Sequence, residues 1–333
     1  MRRSAENPPP SVNGLLRRIE LIGAACGRGG ADPGCAQGPA RLAAGGLAAR
    51  LESIGCEVAW GATLETRGGG TAHAVSGLVA RLAAEVARSI RAEHLPCVLG
   101  GDHSIAVGTW TGVASALAGE LGSGGAGVKC FSPPRPTFGL IWIDAHLDSH
   151  TPRTSPSGRL HGMPLAALLG EGDDELAGLG ATVVDPRHLC VIGARSFEIE
   201  EVRLLERRGV RVITHAELQR RGIGAAFDEA LSIARSASAG FGISIDLDVI
   251  EPNAAPGVAT PVPGGLQAED IAHALAGIAG DRRLLAIEIA EYCPRRDRDG
   301  RTERVIERLL AGLLQGARED TQIVADAIET VQP

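Results

Sequence analysis

Short apolar runs alternate with longer amphipathic stretches along most of the chain. Each apolar run is followed by a polar or Gly-rich loop, which is typical of a buried strand that ends at a sheet edge. This pattern predicts strands at residues 19–25, 96–99, 140–143, 189–192, 210–214, 242–245 and 284–289. The amphipathic stretches predict helices, among them residues 39–54, 75–93 and 304–317.

The helix predicted over residues 75–93 shows its pattern most clearly. Its apolar side chains recur at helical spacing, and they are Val75, Leu78, Val79, Leu82, Val86 and Ile90. Because strands and helices alternate along the chain, we expect an α/β fold with a mainly parallel sheet covered by helices on both faces.

No change in composition marks a second domain. We therefore expect one domain over residues 13–333, preceded by a flexible tail over residues 1–12 that lacks the apolar core of a signal peptide. Two Gly-rich stretches, residues 121–138 and 171–185, are predicted to be surface loops. No stretch is long and apolar enough to predict a membrane span.

Composition narrows the classes of function. Apolar residues make up 44% of the 333 residues, which suffices for a buried core. The net charge of -7 argues against a nucleic-acid partner, which usually requires a basic surface. The cysteines are 7, an odd number, and form no CxxC pair, so we expect reduced thiols in the cytoplasm. Cys26 and Cys35 flank a Gly-rich loop, but no second pair follows, which disfavours a zinc site.

The candidate chemistry lies where the predicted strands end. In an open parallel sheet, ligands bind beyond the carboxyl ends of the strands. Four predicted strands are followed there by histidines or acids. In an extended segment, residues i, i+2 and i+4 point to one side. The segments 144–148 and 246–248 therefore each present their polar side chains together. The candidate residues at the four strand ends are His103, Asp144, His146, Asp148, Asp246, Asp248 and Glu291.

Such a cluster predicts a divalent metal centre. Carboxylates crowded in a cleft repel one another, and cations relieve that repulsion. Oxygen-rich ligands with about one histidine per ion favour Mn²⁺ over zinc, while Fe, Co and Ni remain open. A single Asp-x-His or Asp-x-Asp segment is more often a surface loop, but their joint occurrence at several strand ends favours a site. Asp102 is predicted to cap a turn, with His103 as the ligand.

Three blocks resemble the signature motifs of the arginase–agmatinase (ureohydrolase) family. They are Gly100-Gly101-Asp102-His103-Ser104, Trp142-Ile143-Asp144-Ala145-His146-Leu147-Asp148 and Ser244-Ile245-Asp246-Leu247-Asp248. The similarity extends from the loop near Arg28 to Glu291-Tyr292-Cys293-Pro294. It implies a single three-layer α/β/α domain with two bridged Mn²⁺ ions, in a homotrimer or homohexamer.

The resemblance also implies which residues hold each ion. One ion would take His103, Asp144, Asp148 and Asp246. The other would take Asp144, His146, Asp246 and Asp248, so that Asp144 and Asp246 bridge. A hydroxide between the cations would attack the guanidino carbon. The implied catalytic residues are His161, as the proton shuttle, Glu291, as the partner of the guanidinium group, and Asp148.

The specificity loops depart from the arginase pattern. Arginases commonly carry Asn at the positions of His150 and Arg159. In those enzymes the Asn side chains help to hold the substrate carboxylate. Ser157 is retained, and the acidic cluster expected near the substrate amine is represented by Ser196, Glu198 and Glu201. These six residues are the predicted substrate-binding set. We expect L-arginine as the substrate, with agmatine or another guanidino acid as the alternative and a catalytically silent metal-binding homologue as a distant one.

Overall fold

The computed structural model describes residues 18–119, 136–172 and 183–315. The predicted tail and most of the two predicted surface loops lie outside the described residues. Among the described residues, no helix combines the length and apolar character needed to cross a bilayer.

A parallel sheet forms the centre of the described structure. Its strand order is β2-β1-β3-β8-β7-β4-β5-β6, and every pairing is parallel. The strands are β1 Ile19–Ala25, β2 Val58–Glu65, β3 Leu95–Gly100, β4 Phe138–Ile143, β5 Leu189–Ile192, β6 Arg211–Ile213, β7 Gly240–Asp246 and β8 Leu284–Ala290. The parallel sheet confirms the predicted α/β class.

Helices cover both faces of this sheet. They are α1 Gly38–Ala44, α2 Leu47–Ser53, α3 Thr71–Arg91, α4 Ala106–Gly119, α5 Pro164–Leu168, α6 Ile199–Arg208, α7 His215–Arg221, α8 Ile223–Arg235, α9 Ala268–Ala276 and α10 Arg301–Gln315. One core cluster joins α1, α2 and α7–α10 to the sheet, and a second joins α3–α6. Alternate residues of a strand enter opposite clusters: Ile141 belongs to the first and Trp142 to the second.

The prediction of one helix over residues 39–54 is wrong. The chain forms two helices, α1 and α2, with a turn at Gly45 and Gly46 between them. Gly46 has φ +79°, a left-handed conformation that glycine adopts without the steric cost of a Cβ atom. The apolar periodicity continues across this turn, since Leu42, Leu47 and Leu51 all enter one core cluster.

The edge strand β2 was not predicted. Most of its side chains are only partly buried, so it lacks the continuous apolar run that marks the central strands. Its pairing with β1 also changes register between Leu21 and Gly23. The central strands, by contrast, have every residue buried, which explains why their apolar runs predicted them.

Candidate metal centre and active site

Four neighbouring strands bring the predicted site residues to one edge of the sheet. In the order β3-β8-β7-β4, these strands occupy the middle of the sheet, and their carboxyl ends point the same way. His103 follows β3, Glu291 follows β8, Asp246 ends β7, and Asp144 follows β4. Residues from distant parts of the sequence therefore meet in one place.

The first group of possible ligands is centred on the buried His103. Its Nδ1 atom lies 3.2 Å from Oδ2 of Asp144, 3.0 Å from Oδ2 of Asp148 and 3.1 Å from Oδ2 of Asp246. These four residues can direct one ligand atom each towards a shared point. They are the four that the resemblance implies for one ion.

The second group shares Asp144 with the first. It consists of Asp144, His146 and Asp248, with His146 Nδ1 3.1 Å from Asp248 Oδ2 and 3.5 Å from Asp144 Oδ1. The side chain of Asp246 was also expected here, but the geometry places it only in the first group, with His103, Asp144 and Asp148. Thr260, which sequence reasoning missed, donates a hydrogen bond of 2.9 Å to Asp248 Oδ2.

A chain of buried polar residues orients the His103 ring. The ring stacks on Trp142, with centroids 4.2 Å apart. Its Nε2 lies 2.9 Å from Ser244 Oγ, which in turn donates to Glu288 Oε1 at 2.8 Å. Because the Ser244 proton is directed to Glu288, Ser244 Oγ accepts from His103 Nε2–H, and Nδ1 is the ring nitrogen that faces the carboxylates. Polar residues within the apolar runs of β7 and β8 were the sequence signal for this support.

The electrostatics of the cluster show uncompensated negative charge. Burial lowers the pKa of His103, but the three facing carboxylates raise it well above its usual value. Burial and repulsion by Asp248 and Asp144 raise the pKa of Asp246. Among the described residues, His103 Nδ1, Asp148 Oδ2 and Asp248 Oδ1 are buried without a hydrogen-bond partner. Such nitrogen and oxygen atoms, aimed at one another, fit divalent cations.

Glu291 and His161 form a second unit beside the metal groups. Glu291 is fully buried, and its Oε1 accepts a 2.9 Å hydrogen bond from the His103 backbone N–H and lies 3.0 Å from His161 Nδ1. Burial raises the pKa of Glu291, but His161 outweighs it, and the pKa falls below the usual value. Burial opposes protonation of His161, yet Glu291 raises the His161 pKa to about 9.

Asp102 caps the turn that begins at His103. Its carboxylate accepts from the Ser104 backbone N–H at 3.2 Å and from that of Gly29 at 3.0 Å. The predicted capping role is therefore confirmed. Through Gly29, whose carbonyl accepts from the His161 backbone N–H at 3.1 Å, the same loop also supports His161.

Three of the predicted substrate-binding residues form a compact triad. His150 is buried, and its Nε2 lies 3.0 Å from Glu198 Oε2 and 3.4 Å from Glu201 Oε2. Glu201 also accepts from the backbone N–H groups of Ser149 and Glu198, which anchors the start of α6. Burial raises the pKa of Glu201 to about 8.

The other predicted substrate-binding residues lie apart from this triad. Ser157 and Arg159 are exposed, and the Arg159 backbone N–H donates to Ser157 Oγ at 3.3 Å. Ser196 is half-buried, and its N–H donates to Ala145 O at 3.0 Å. Arg195, which was not predicted, donates to the backbone carbonyls of Asp248 and Val262, both at 2.8 Å. It thereby ties the loop after β5 to the end of β7.

Comparison with known proteins assigns the chain to a family. The model of the arginase family matches residues 17–315. The arginase of Bacillus caldovelox is 32% identical over 90% of this chain and 98% of its own length. The arginase of Agrobacterium fabrum is 32% identical over 90% of this chain and 91% of its own length. The crystal structure of arginase from Bacillus subtilis superposes with a TM-score of 0.81, at 32% identity, covering 91% of this chain and 100% of that one.

These matches span the fold and every strand end that carries a candidate ligand. The protein is a hydrolase that acts on a guanidino carbon–nitrogen bond. The chain belongs to the arginase family.

Proposed function

We propose that the protein hydrolyses L-arginine to ornithine and urea with two divalent cations, and that these cations are Mn²⁺. The observation that carries this proposal is the pair of ligand groups that share Asp144 at the sheet edge. His103, Asp148 and Asp246 complete one group, and His146 and Asp248 the other. When bound, two cations would acidify a water molecule so that hydroxide is available at neutral pH.

The side chains around the metal groups have separate tasks. Glu291 stays ionised in spite of its burial, and a carboxylate matches the planar fork of a guanidinium group. His161 keeps Nδ1 against Glu291, so its other ring nitrogen, Nε2, is the atom available to protonate the departing amine. Asp148 orients His103 and contributes to the first metal group.

A second candidate substrate is a guanidino acid that lacks the α-ammonium group. In the arginase pattern, acids at the positions of Glu198 and Glu201 face the substrate amine. Here, His150 already contacts both carboxylates, so an ammonium group would have to compete with an imidazole for them. This contact is the observation that favours the second candidate. Agmatine, which has no carboxylate, would instead leave Arg159 unmatched.

A matched substrate panel tests both candidates. Urea release is measured from arginine, from 5-guanidinopentanoate, which differs from arginine only by the missing amine, from agmatine and from 4-guanidinobutyrate. Formiminoglutamate is a further probe, and its turnover is measured as formamide because its formimino group yields no urea. The proposal expects arginine to have the highest kcat/KM. A higher value for 5-guanidinopentanoate supports the second candidate. No turnover of any probe by protein that holds two cations would contradict both and indicate a catalytically silent homologue.

The role of Arg159 is tested with the same panel. Its guanidinium group is exposed two residues before His161, where it is free to meet a substrate carboxylate. A charge-assisted hydrogen bond contributes roughly 1.5–3 kcal/mol, so Arg159→Ala should raise the KM for arginine about 10- to 100-fold. The KM for agmatine should fall or stay constant. An unchanged preference between arginine and agmatine would show that Arg159 does not select the substrate.

We also propose that the protein is a cytoplasmic homotrimer or homohexamer and that each subunit is a single catalytic domain. The reduced, buried cysteines of the described residues are consistent with a reducing compartment. Sedimentation velocity of the full chain gives the assembly directly. A stable monomer at micromolar concentration would contradict the proposed assembly.

A further inference from the structure

Two buried cysteines lie beside Glu291, outside the metal groups. Cys35 is in the 3-10 turn Pro33–Gln37, and Cys293 follows β8. Both thiols are fully buried and form, with Ala259, a small cluster that is separate from the two main cores. Neither thiol takes part in the proposed reaction.

The two thiols contact one another and the proposed guanidinium-binding acid. Cys35 and Cys293 lie in the same small cluster, where each thiol neighbours the other. The Cys35 thiol also donates to Glu291 Oε2, with a distance of 3.7 Å between sulfur and oxygen. Cys35 is therefore a direct neighbour of both Cys293 and the carboxylate.

Ion pairs hold the backbone segments of the two cysteines together. The carboxylate of Asp32, at the start of the Cys35 turn, accepts from Arg295 and, at 2.7 Å, from Arg296 Nε. Both arginines lie in the turn that Cys293 begins. The Cys293 backbone N–H is fixed as well, because it donates to Gly257 O at 2.8 Å. The contact between the thiols thus has a fixed frame on either side.

The surroundings give the two sulfur atoms different reactivities. Contact with Cys35 lowers the pKa of Cys293, and Arg295 acts in the same direction against burial. Contact with Cys293, together with burial, raises the pKa of Cys35. Cys293 is therefore the sulfur that ionises first, and the thiolate is the reactive form of cysteine.

We propose that Cys35 and Cys293 form a reversible disulfide bond that weakens substrate binding at Glu291. With hydrogen peroxide as the oxidant, the Cys293 thiolate attacks one oxygen and the O–O bond breaks. The departing hydroxide takes up the proton that Cys293 released, so sulfenic acid and water form. Cys35 sulfur then attacks the Cys293 sulfur, and the hydroxyl group leaves with the Cys35 proton as a second water. Two thiols are oxidised, and one peroxide is reduced to two waters.

The bond changes the surroundings of Glu291. A disulfide sulfur has no proton to donate, so Glu291 Oε2 loses its hydrogen bond from Cys35. Cys35 sulfur also moves towards Cys293. Because Glu291 is proposed to pair with the guanidinium group, we expect a several-fold increase in KM. This functional consequence rests on the proposed function, whereas bond formation does not.

Bond formation is tested on the full chain by mass spectrometry. The protein is treated with hydrogen peroxide, alkylated under denaturing conditions and digested. We expect a linked peptide pair containing Cys35 and Cys293, loss of two free thiols, and recovery of both with dithiothreitol. Cys97→Ala, a change at a buried cysteine in β3, is the matched control and should form the same bond. Absence of the linked peptide in the wild-type protein would overturn the proposal, whether or not the enzyme releases urea.

The effect on binding is tested by kinetics at constant metal content. Peroxide should raise the KM of the wild-type and Cys97→Ala proteins, and dithiothreitol should restore it. Cys293→Ala and Cys293→Ser should show no peroxide-dependent change relative to their own untreated values. A linked peptide with unchanged KM would overturn the switch. An equal rise in KM in the Cys293 variants would overturn it too, because other oxidation would then be the cause.

Discussion

Two acids of the site hold backbone conformations that residues other than glycine rarely adopt. Asp148 has φ +46° and Glu291 has φ +66°. Such conformations cost on the order of 1–3 kcal/mol each, and the surrounding structure has to impose them. Backbone hydrogen bonds do so here: Glu291 N–H donates to Gly101 O at 2.8 Å, and Leu165 N–H donates to Asp148 O at 2.9 Å. The strain falls on residues to which we assign chemical roles.

The proton-shuttle role of His161 is tested by His161→Asn. General acid catalysis contributes roughly 10²–10⁴-fold, so kcat should fall by about that factor. Metal content should remain the same, because His161 belongs to neither ligand group. Urea release and metal analysis on the same preparation measure both. A proportionate loss of bound metal would instead show a structural role for His161.

Glu291 should set the protonation of His161. In the metal-free protein, Glu291 raises the pKa of His161 to about 9 against the effect of burial. Glu291→Gln removes that charge, so NMR titration of His161 should give a lower pKa. Because the folded-state pKa is raised, this pair stabilises the fold fully below about pH 6.5, the usual histidine value. Its contribution is lost as pH rises through about 9. An unchanged pKa in the variant would contradict the pairing.

At the scale of elements, the apolar runs predicted the buried strands. They predicted neither the edge strand β2 nor the break between α1 and α2. The central strands are buried on both faces, so their sequences are nearly free of polar residues. The half-exposed edge strand β2 and the break at Gly46 leave no such mark. In the site, the ligand pairs were visible because they follow the strands at fixed spacing. The His150 triad was not, because only tertiary structure brings His150 to α6.

Close packing between β7 and α4 predicts the effect of one added methyl group. A Cβ atom at Gly242 would lie 2.0 Å from Trp110 Cζ3, and Trp110 is fully buried. Gly242→Ala should therefore destabilise the fold by about 1–3 kcal/mol, as overpacking does. Gly224→Ala, in α8, is the matched control because a Cβ atom there would meet nothing within 4 Å. Denaturant unfolding compares the two, and equal stabilities would contradict the close packing.

At the scale of the whole molecule, cations should stabilise the folded state in addition to supporting the proposed reaction. Ligand binding to the native state stabilises it by about 2.7 kcal/mol at a free concentration of 100 times Kd. Loading with Mn²⁺ should thus raise Tm, and about two equivalents should bind per chain. A chelator should reverse both effects. One equivalent or none at saturation would contradict a binuclear centre.

Alanine variants of the ligands distinguish the shared carboxylate from the others. Asp144→Ala should remove both equivalents, since Asp144 belongs to both groups, and Asp148→Ala should retain more metal. We also expect Asp246→Ala to lose both, as a bridging residue would. Metal analysis decides this point: loss of only one equivalent from Asp246→Ala would restrict that carboxylate to the group around His103.

The strand order also has a consequence for biosynthesis. The two strands that lie between β3 and β4 are β8 and β7, and they are the last strands in the part of the chain that the structure describes. In a nascent chain that includes only β1–β6, the strands β2-β1-β3 and the strands β4-β5-β6 form two separate parallel groups. No strand pairs β3 with β4. His103 and Asp144 can become neighbours only after β7 and β8 have been synthesised and have inserted between β3 and β4. The proposed binuclear centre therefore requires the chain up to β8, and a chain terminated before β7 would lack it.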